Sequence, residues 1–474
     1  MKPFRHVHIL GVCGTLMGAF ASYLKRSGVR VTGSDQNVYP PMSDVLQNAG
    51  IELFSPYSAE NLQKISNQGQ FPDLFVIGNV ISKGNVEMTA IEQSGVPYVS
   101  LPEFMEKHLL PETRNLVVAG THGKTTTSSL LAHTLDSCEM NPSYFIGGVS
   151  HSLPHSFHVP ADSKYFVLEG DEYDTAFWDK VPKFNHYLPN DVILTSVEFD
   201  HADIYADLAA VKKAFAGLIS RIRSPGRLIA CIETANVREL IREAKTTLIT
   251  YSRNEADQAD YTFKNMLTNG ETTSFDLYFK GSKKDHVHIN LCGEHNVLNA
   301  LAVYVECSEL GIPAEKIKTG LASFKGIKRR QEERGEVNGV LVIDDFAHHP
   351  TAVRETLNAL KLKYPSRRLV AVFEPRSATS RRKVFQKEYT EAFDQAGAVF
   401  VAIAFDQSKI PQDQQFSSQE LVQGVNDRGI HAASFLEVDE GVKNVASYAK
   451  KGDLIAVLSN GGFGGFIPKL LSQL

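Results

Sequence analysis

Residues Ala119–Thr127 read AGTHGKTTT. The stretch ends like a phosphate-binding loop, yet Gly120 and Gly123 are separated by only two residues, where the usual pattern is G-x-x-x-x-G-K-[ST]. The apolar run LVVAG leads into it and SSLLAHTLDSC follows, so the order is strand, glycine loop, helix. That order suits anion binding, because backbone N–H groups at a helix N-terminus point at the ligand and the helix dipole adds to their pull. Lys124 is then placed for the β- and γ-phosphates of a nucleotide and Thr125 for Mg²⁺ through its hydroxyl. The competing reading is a glycine turn that carries a surface lysine.

Upstream, HVHIL, VRVTGSD, DLFVIGN and VPYVS are short β-rich runs separated by helical patterns, as in βαβ units on a parallel sheet. Downstream, YFVLEGDEYD, DVILTSVEFDHAD and RLIACI are apolar runs that end in polar residues, as expected of parallel strands whose carboxyl ends carry a site. After the helical GEHNVLNALAVYVECSELG and the linker-like FKGIKRRQEERGE, a third alternation begins with VLVIDDFAHHP, RLVAVFEP, AVFVAI and DLIAVLS. Breaks near Leu110 and Ser323 divide the chain into residues 1–110, 111–323 and 324–474. The expected class is α/β with three domains, and the polar DQSKIPQDQQFSSQE reads as a solvated loop.

The 474 residues are too many for one ordinary core. A hydrophobic content of 43% with 22% charged residues is ordinary soluble composition, and a net charge of -5 gives no reason to expect nucleic acid as a partner. The five cysteines include no C-x-x-C pair, which argues against a disulfide framework and a zinc ribbon. MKPFRHVHILGVCG has no long apolar signal core, and no run of about 18 apolar residues occurs. A cytoplasmic protein without a membrane span is expected.

Four further motifs carry chemistry. LEGDEYD ends a strand on a carboxylate cluster; a hard cation needs oxygen ligands, and Glu169 is the first choice for Mg²⁺, although four acids in six residues also suit a solvated loop. In EFDHADIY, His201 could bind a second metal or satisfy a turn. GVCGTLMG places Gly11, Gly14 and Gly18 between a strand and a helix, so a diphosphate could rest there, with Asp35 set for a ribose hydroxyl. The spacing departs from the NAD fingerprint, and a nucleotide-linked substrate is the more economical reading. Asn296 and Asn299 share a helix face and could meet a base or ribose edge, and Arg329 or Arg330 could neutralise phosphate in the transition state. Each of these last features alone is also what a cap or a packed surface looks like.

Taken together and in order, GVCGTLMG, GTHGKTTT, EGDEYD, FDHAD, GEHNVLNA, KRR and DDFAHHP resemble the Mur ligases, the ATP-dependent amide-forming enzymes of bacterial peptidoglycan metabolism. The short glycine spacing is that family's own form of the loop. The resemblance implies a Rossmann-like N-terminal domain for a UDP-sugar, a central P-loop ATPase domain and a Rossmann-like C-terminal domain for the incoming amine. It implies ATP and Mg²⁺ as cofactors, with Gly120, Thr121, His122, Gly123, Lys124, Thr125 and Thr126 as the ATP loop. Thr125, Glu169 and His201 would hold metal, and Asn296, Asn299, Arg330 and Asp345 match ATP and domain-closure positions. His348 is the matching histidine of DDFAHHP. Gly11, Gly14, Thr15, Gly18, Ser34 and Asp35 would meet the UDP-sugar, while Arg376, Ser377 and Asn460 are placed by position in the peptide pocket.

Two branches of the family use UDP-N-acetylmuramate itself, one adding L-alanine and the other the tripeptide L-alanyl-γ-D-glutamyl-meso-diaminopimelate. GVCGTLMG, EFDHADI, FEPRSATS and SNGGFGGFIPKLL look like the tripeptide branch. The substrates implied are therefore the UDP-sugar and a muropeptide. The rivals are the L-alanine ligase, more remotely a folylpolyglutamate synthetase, and a non-catalytic nucleotide-binding regulator that kept the loop.

Overall fold

The computed structural model describes residues 4–38, 42–67 and 69–474. Met1, Lys2 and Pro3 of the N-terminal stretch read above lie outside the described residues. The chain packs into two compact units, Met1–Val197 with Lys212–Tyr251 and Ala302–Gly320, and Glu198–Val211 with Ser252–Leu301 and Leu321–Leu474. Among the described residues no helix is long and apolar enough to cross a membrane.

The first unit holds two sheets. In one, β1 (His6–Leu10), β2 (Arg30–Ser34), β3 (Glu52–Phe54), β4 (Leu74–Ile77) and β5 (Tyr98–Ser100) run in the order β3-β2-β1-β4-β5. All are parallel. Strand order reverses at β1, and the glycine turn leaves from its carboxyl end, where α/β sheets bind ligands. The helix Thr15–Arg26 buries Phe20, Ala21 and Leu24.

In the other sheet of this unit are β6 (Arg114–Ala119), β7 (Ser143–Phe145), β8 (Phe157–His158), β9 (Tyr165–Gly170), β10 (Asp191–Leu194), β11 (Arg227–Cys231) and β12 (Thr247–Tyr251). Their order is β12-β11-β10-β6-β9-β7-β8, with only β8 antiparallel to its neighbour. Strands β6, β9 and β10 are the apolar runs read from the sequence. Their near-complete burial on both faces explains why they lack polar alternation. The helix Lys124–Ser137 leaves the end of β6 through the glycine loop.

The second unit has a meander of β13 (Tyr261–Asn269), β14 (Thr272–Phe279) and β15 (Ser282–Ile289), antiparallel throughout. It also has a sheet of β16 (Glu332–Val337), β17 (Val340–Asp345), β18 (Arg368–Phe373), β19 (Ala398–Ala402), β20 (His431–Phe435) and β21 (Asp453–Leu458), ordered β16-β17-β21-β18-β19-β20. Here only β16 is antiparallel, and the rest form a parallel sheet. The sequence read as linker-like through RQEERGE is in its second half strand β16. Asn338 and Gly339, at φ 51° and 81°, close a two-residue hairpin that adds it to the sheet edge.

Candidate functional site

In the first unit the site grows from the end of β6. Gly120 has φ 138°, and a Cβ there would lie 2.2 Å from Thr195 Oγ1 and 2.8 Å from the Ser196 nitrogen, so only glycine lets the loop lie against this segment. Thr195 and Ser196 follow the end of β10 and brace the loop. The Thr121 N–H donates to the Ser196 carbonyl (3.0 Å), the His122 N–H to Ser196 Oγ (3.0 Å) and Thr195 Oγ1 to the His122 carbonyl (2.5 Å). Gly123, at φ 79°, then turns the chain into the helix whose first turn holds Lys124, Thr125 and Thr126.

The acids of EGDEYD are sorted by partner. Thr125 Oγ1 donates to Glu169 Oε1 (2.6 Å) and the Gly147 N–H to Glu169 Oε2 (2.6 Å). Lys124 Nζ donates to Glu172 Oε1 (3.0 Å) and to the Gly120 and Thr121 carbonyls (2.7 and 3.2 Å). Lys183 Nζ donates to Asp171 Oδ2 (2.6 Å), and the exposed Lys180 pairs with Asp174. Burial pushes the Glu169 carboxyl up, only partly offset by the Thr125 and Gly147 hydrogen bonds and by Lys124. Burial lowers Lys124, but the Glu172 carboxylate more than offsets it and the ammonium is held above its ordinary value.

These donors fit Mg²⁺. The Thr125 hydroxyl and a Glu169 carboxylate oxygen converge as hard oxygen ligands, and a cation would relieve a carboxylate that burial disfavours.

Around the first glycine turn, the Gly11 N–H (φ 83° at this glycine) donates to the Ser34 carbonyl. Asp35 Oδ2 accepts from the Cys13 N–H (2.8 Å), and Tyr57 donates to Asp35 Oδ1 (3.3 Å), so Asp35 fixes the turn. Gly14 and Thr15 are exposed at the helix N-terminus. Gly18 sits inside the helix against Met42, where a Cβ would meet Sδ at 2.5 Å. Ser34 is fully buried, donating to Glu87 Oε1 (2.5 Å) beside His8, so its hydroxyl belongs to the core of the sheet. A cavity of about 300 Å³ is lined by Gly14, Thr15, Asn79, Gly147, Lys183 and Tyr187, among others. It joins the first glycine turn to the backbone that holds Glu169.

The remaining candidates fall in the second unit. His201 has φ 55° and its N–H donates to Asp200 Oδ1 (2.7 Å). Asp200 also accepts from Thr379 Oγ1 (2.6 Å) and lies 3.9 Å from His348 Nε2. Asp200 is nearly buried, yet the surrounding imidazoles of His201, His348 and His349 hold it well below the usual carboxylate range. Burial lowers His348, whose Nδ1 is 3.0 Å from the Phe346 carbonyl oxygen. Asn296 Nδ2 donates to the Cys292 carbonyl and Asn299 Nδ2 to Asn296 Oδ1, so the two amides share one buried chain. Asp345 accepts from the Gln331 and Ala347 N–H groups, each at 2.8 Å.

Arg329 and Arg330 flank the Phe346 ring at 5.2 and 5.0 Å. Arg329 Nη2 donates to the Ser459 and Gly461 carbonyls (2.6 and 2.7 Å), whereas the Arg330 guanidinium has no carboxylate partner among the described residues. Arg376 pairs with Glu374 (3.2 Å) beside Gly461, and Ser377 Oγ donates to Ser380 Oγ (2.9 Å). Asn460 presents a buried Oδ1 without a hydrogen-bond partner among the described residues.

Three family models match in succession, described as Mur ligase family, catalytic domain (residues 6–112), Mur ligase middle domain (118–306) and Mur ligase, glutamate ligase domain (329–461). A UDP-N-acetylmuramate–L-alanyl-γ-D-glutamyl-meso-2,6-diaminoheptandioate ligase of Escherichia coli K12 is 38% identical over 471 residues, covering 99% of this chain and 98% of its own. The chain belongs to the Mur ligase family. This Mur ligase is also 33% identical to a UDP-N-acetylmuramate–L-alanine ligase of Chlorobium phaeobacteroides, over 99% of this chain and 97% of that one. A crystal structure of a murein peptide ligase from Psychrobacter arcticus superposes with a TM-score of 0.71 at 33% identity, covering 99% and 98% of the two chains.

In this Mur ligase the sequence motifs did not point to Thr195, Ser196, Gly147 or Lys183, and within EGDEYD they singled out Glu169 rather than Glu172. Thr195 and Ser196 read as the end of a strand, and Gly147 and Lys183 lie in no motif.

Proposed function

We propose that the chain joins the lactyl carboxylate of UDP-N-acetylmuramate to the amino group of L-alanyl-γ-D-glutamyl-meso-diaminopimelate, with hydrolysis of ATP to ADP and phosphate. The carrying observation is the array of Lys124, Thr125 and Glu169 around the compact glycine loop, with Gly147, whose N–H holds Glu169, lining the same cavity as the first glycine turn. The acceptor is favoured by the relative that is 38% identical, against 33% for the L-alanine-adding one.

In this reading the residues divide as 1–110 for the UDP-sugar, 111–323 for ATP and 324–474 for the peptide. A carboxylate oxygen of the sugar attacks the γ-phosphorus, the bond to ADP breaks, and an acyl phosphate forms. The peptide nitrogen then attacks the acyl carbon, the bond to phosphate breaks, and the nitrogen loses a proton. Lys124 and the loop N–H groups hold the phosphates and offset the repulsion between carboxylate and triphosphate. Thr125 and Glu169 would hold one Mg²⁺ and His201 a second; bound there, Mg²⁺ neutralises phosphate charge. Arg330 is assigned to transition-state charge, and Arg376, Ser377 and Asn460 to the peptide.

The test is phosphate release with ATP, Mg²⁺ and UDP-N-acetylmuramate, comparing L-alanine with the tripeptide. Release that depends on the tripeptide and is lost in Lys124→Ala supports the reading. Release with alanine alone would move the chain to the L-alanine-adding branch.

A further inference from the structure

Among the described residues that line the cavity shared by the first glycine turn and Gly147, Lys183 is the only one with a charged side chain. The rest of that wall is mostly apolar, with Phe145, Ile77 and Leu101 among its members. An ammonium in such a setting is costly unless it is paired. Lys183 is paired on one side only: Asp171 Oδ2 takes one of its protons at 2.6 Å, and the side chain is 14% exposed. Asp171 is itself fixed, since its other oxygen accepts from the Tyr173 N–H at 3.0 Å. Two of the three ammonium donors have no other partner among the described residues.

Tyr187 follows the short turn Lys183–His186 and lines the same cavity. It is fully buried, and its hydroxyl has no hydrogen-bond partner among the described residues. A buried hydroxyl without a partner is uncommon and marks a place where an acceptor belongs. The cavity wall thus offers both the backbone N–H groups of the Gly14–Thr15 helix N-terminus and an ammonium and a phenol, from Lys183 and Tyr187. A ligand that meets both carries two separate anionic groups.

We propose that Lys183, oriented by Asp171 and assisted by Tyr187, binds the lactyl carboxylate of the UDP-sugar and so selects for a sugar that bears one. This rests on the UDP-N-acetylmuramate reading above and deepens it. The placement suits the reaction, because the carboxylate would be held on the wall that includes Gly147, whose N–H holds Glu169.

Calorimetric titration of the full-length protein with UDP-N-acetylmuramate and with UDP-N-acetylglucosamine, which lacks the lactyl group, tests the proposal. The unaltered protein is expected to bind the carboxylate-bearing sugar more tightly by on the order of tenfold, the scale of one charge-assisted hydrogen bond. In Lys183→Met that preference is expected to disappear while affinity for UDP-N-acetylglucosamine stays the same, and Lys183→Arg is expected to keep most of it. A purely structural lysine would weaken both sugars together in Lys183→Met. That result, or an unchanged preference, would overturn the proposal and leave the wider function standing. An unaltered protein that binds neither sugar would overturn both. Thermal melts of the two variants identify a folding defect, and if Lys183→Met does not fold, Tyr187→Phe carries the same comparison, with a reduced preference expected and an unchanged one counting against the proposal.

Discussion

Lys124 Nζ and Glu172 Oε1 form an ion pair at 3.0 Å, with the two side chains 15% and 3% exposed. Removing one partner of such a pair leaves a carboxylate buried without its cation, which costs about 2–3 kcal/mol. Lys124→Ala is therefore expected to lower stability in urea unfolding by that amount and turnover by about 10³-fold or more. The double variant Lys124→Ala/Glu172→Gln is expected to recover much of the stability and none of the turnover. Equal stability of the single and double variants would show that Glu172 is not stranded by the loss of Lys124.

Glu169 sets a pH dependence of known sign. Its folded carboxyl titrates above the ordinary carboxylate range because of burial, so the folded chain binds this proton more tightly than the unfolded chain. The stability it contributes is present below the ordinary carboxylate value and is lost as pH rises through the raised folded value. Mg²⁺ requires the ionised form, so its affinity is expected to fall as pH drops through the raised folded value of Glu169. Glu169→Gln should melt higher than the unaltered protein at neutral pH without Mg²⁺ and show little stabilisation by the ion. Melting curves across Mg²⁺ concentrations at several pH values measure both; an unchanged Mg²⁺ response in Glu169→Gln would remove Glu169 from the metal site.

Gly120 tests the brace between the loop and the segment after β10. A Cβ at 2.2 Å from Thr195 Oγ1, on a backbone at φ 138°, cannot be accommodated by a rotamer change alone, since the Ser196 nitrogen is also within 2.8 Å. Gly120→Ala is expected to cost about 2 kcal/mol or more and to weaken ATP binding severely. Thr195→Val, which removes the hydroxyl bond to the His122 carbonyl without adding bulk, is expected to lower ATP affinity by a smaller factor. Calorimetric titration with a non-hydrolysable ATP analogue separates the two.

The parallel strands were legible in the sequence because each is buried on both faces and ends at a glycine or an acid, as LVVAG and YFVLEG do. The glycine loop with Lys124 and Thr125 was legible too, since strand, loop and helix are contiguous. What was not legible is whatever depends on meeting across the sheet. Thr195 and Ser196 continue the apolar VIL run in sequence, and only the adjacency of β10 and β6 turns them onto the loop. The four acids of EGDEYD look equivalent as letters, and their separate partners, Thr125, Lys183, Lys124 and Lys180, come from two stretches of chain. Ser34 and Asp35 are neighbours in sequence, but strand alternation sends the Ser34 hydroxyl to Glu87 while Asp35 meets the turn.

Arg329 and Arg330 stack on the same ring, yet their surroundings assign them different work. Arg329 is tied to the Ser459 and Gly461 carbonyls on either side of Asn460 and lies 3.5 Å from Asp344, so it holds that turn in place. Arg330 carries its charge over the Phe346 ring with no carboxylate to neutralise it among the described residues. Arg330→Ala is accordingly expected to lower kcat by about 10²-fold or more with little change in melting temperature, because the loss falls on the transition state. Arg329→Ala is expected to lower the melting temperature by several degrees and raise KM for the peptide, since two carbonyls lose their donor and the turn that carries Asn460 loosens. Steady-state kinetics with each substrate varied in turn, alongside thermal melts, distinguish the two patterns; matching losses of kcat at unchanged stability would place both arginines on the reacting phosphate.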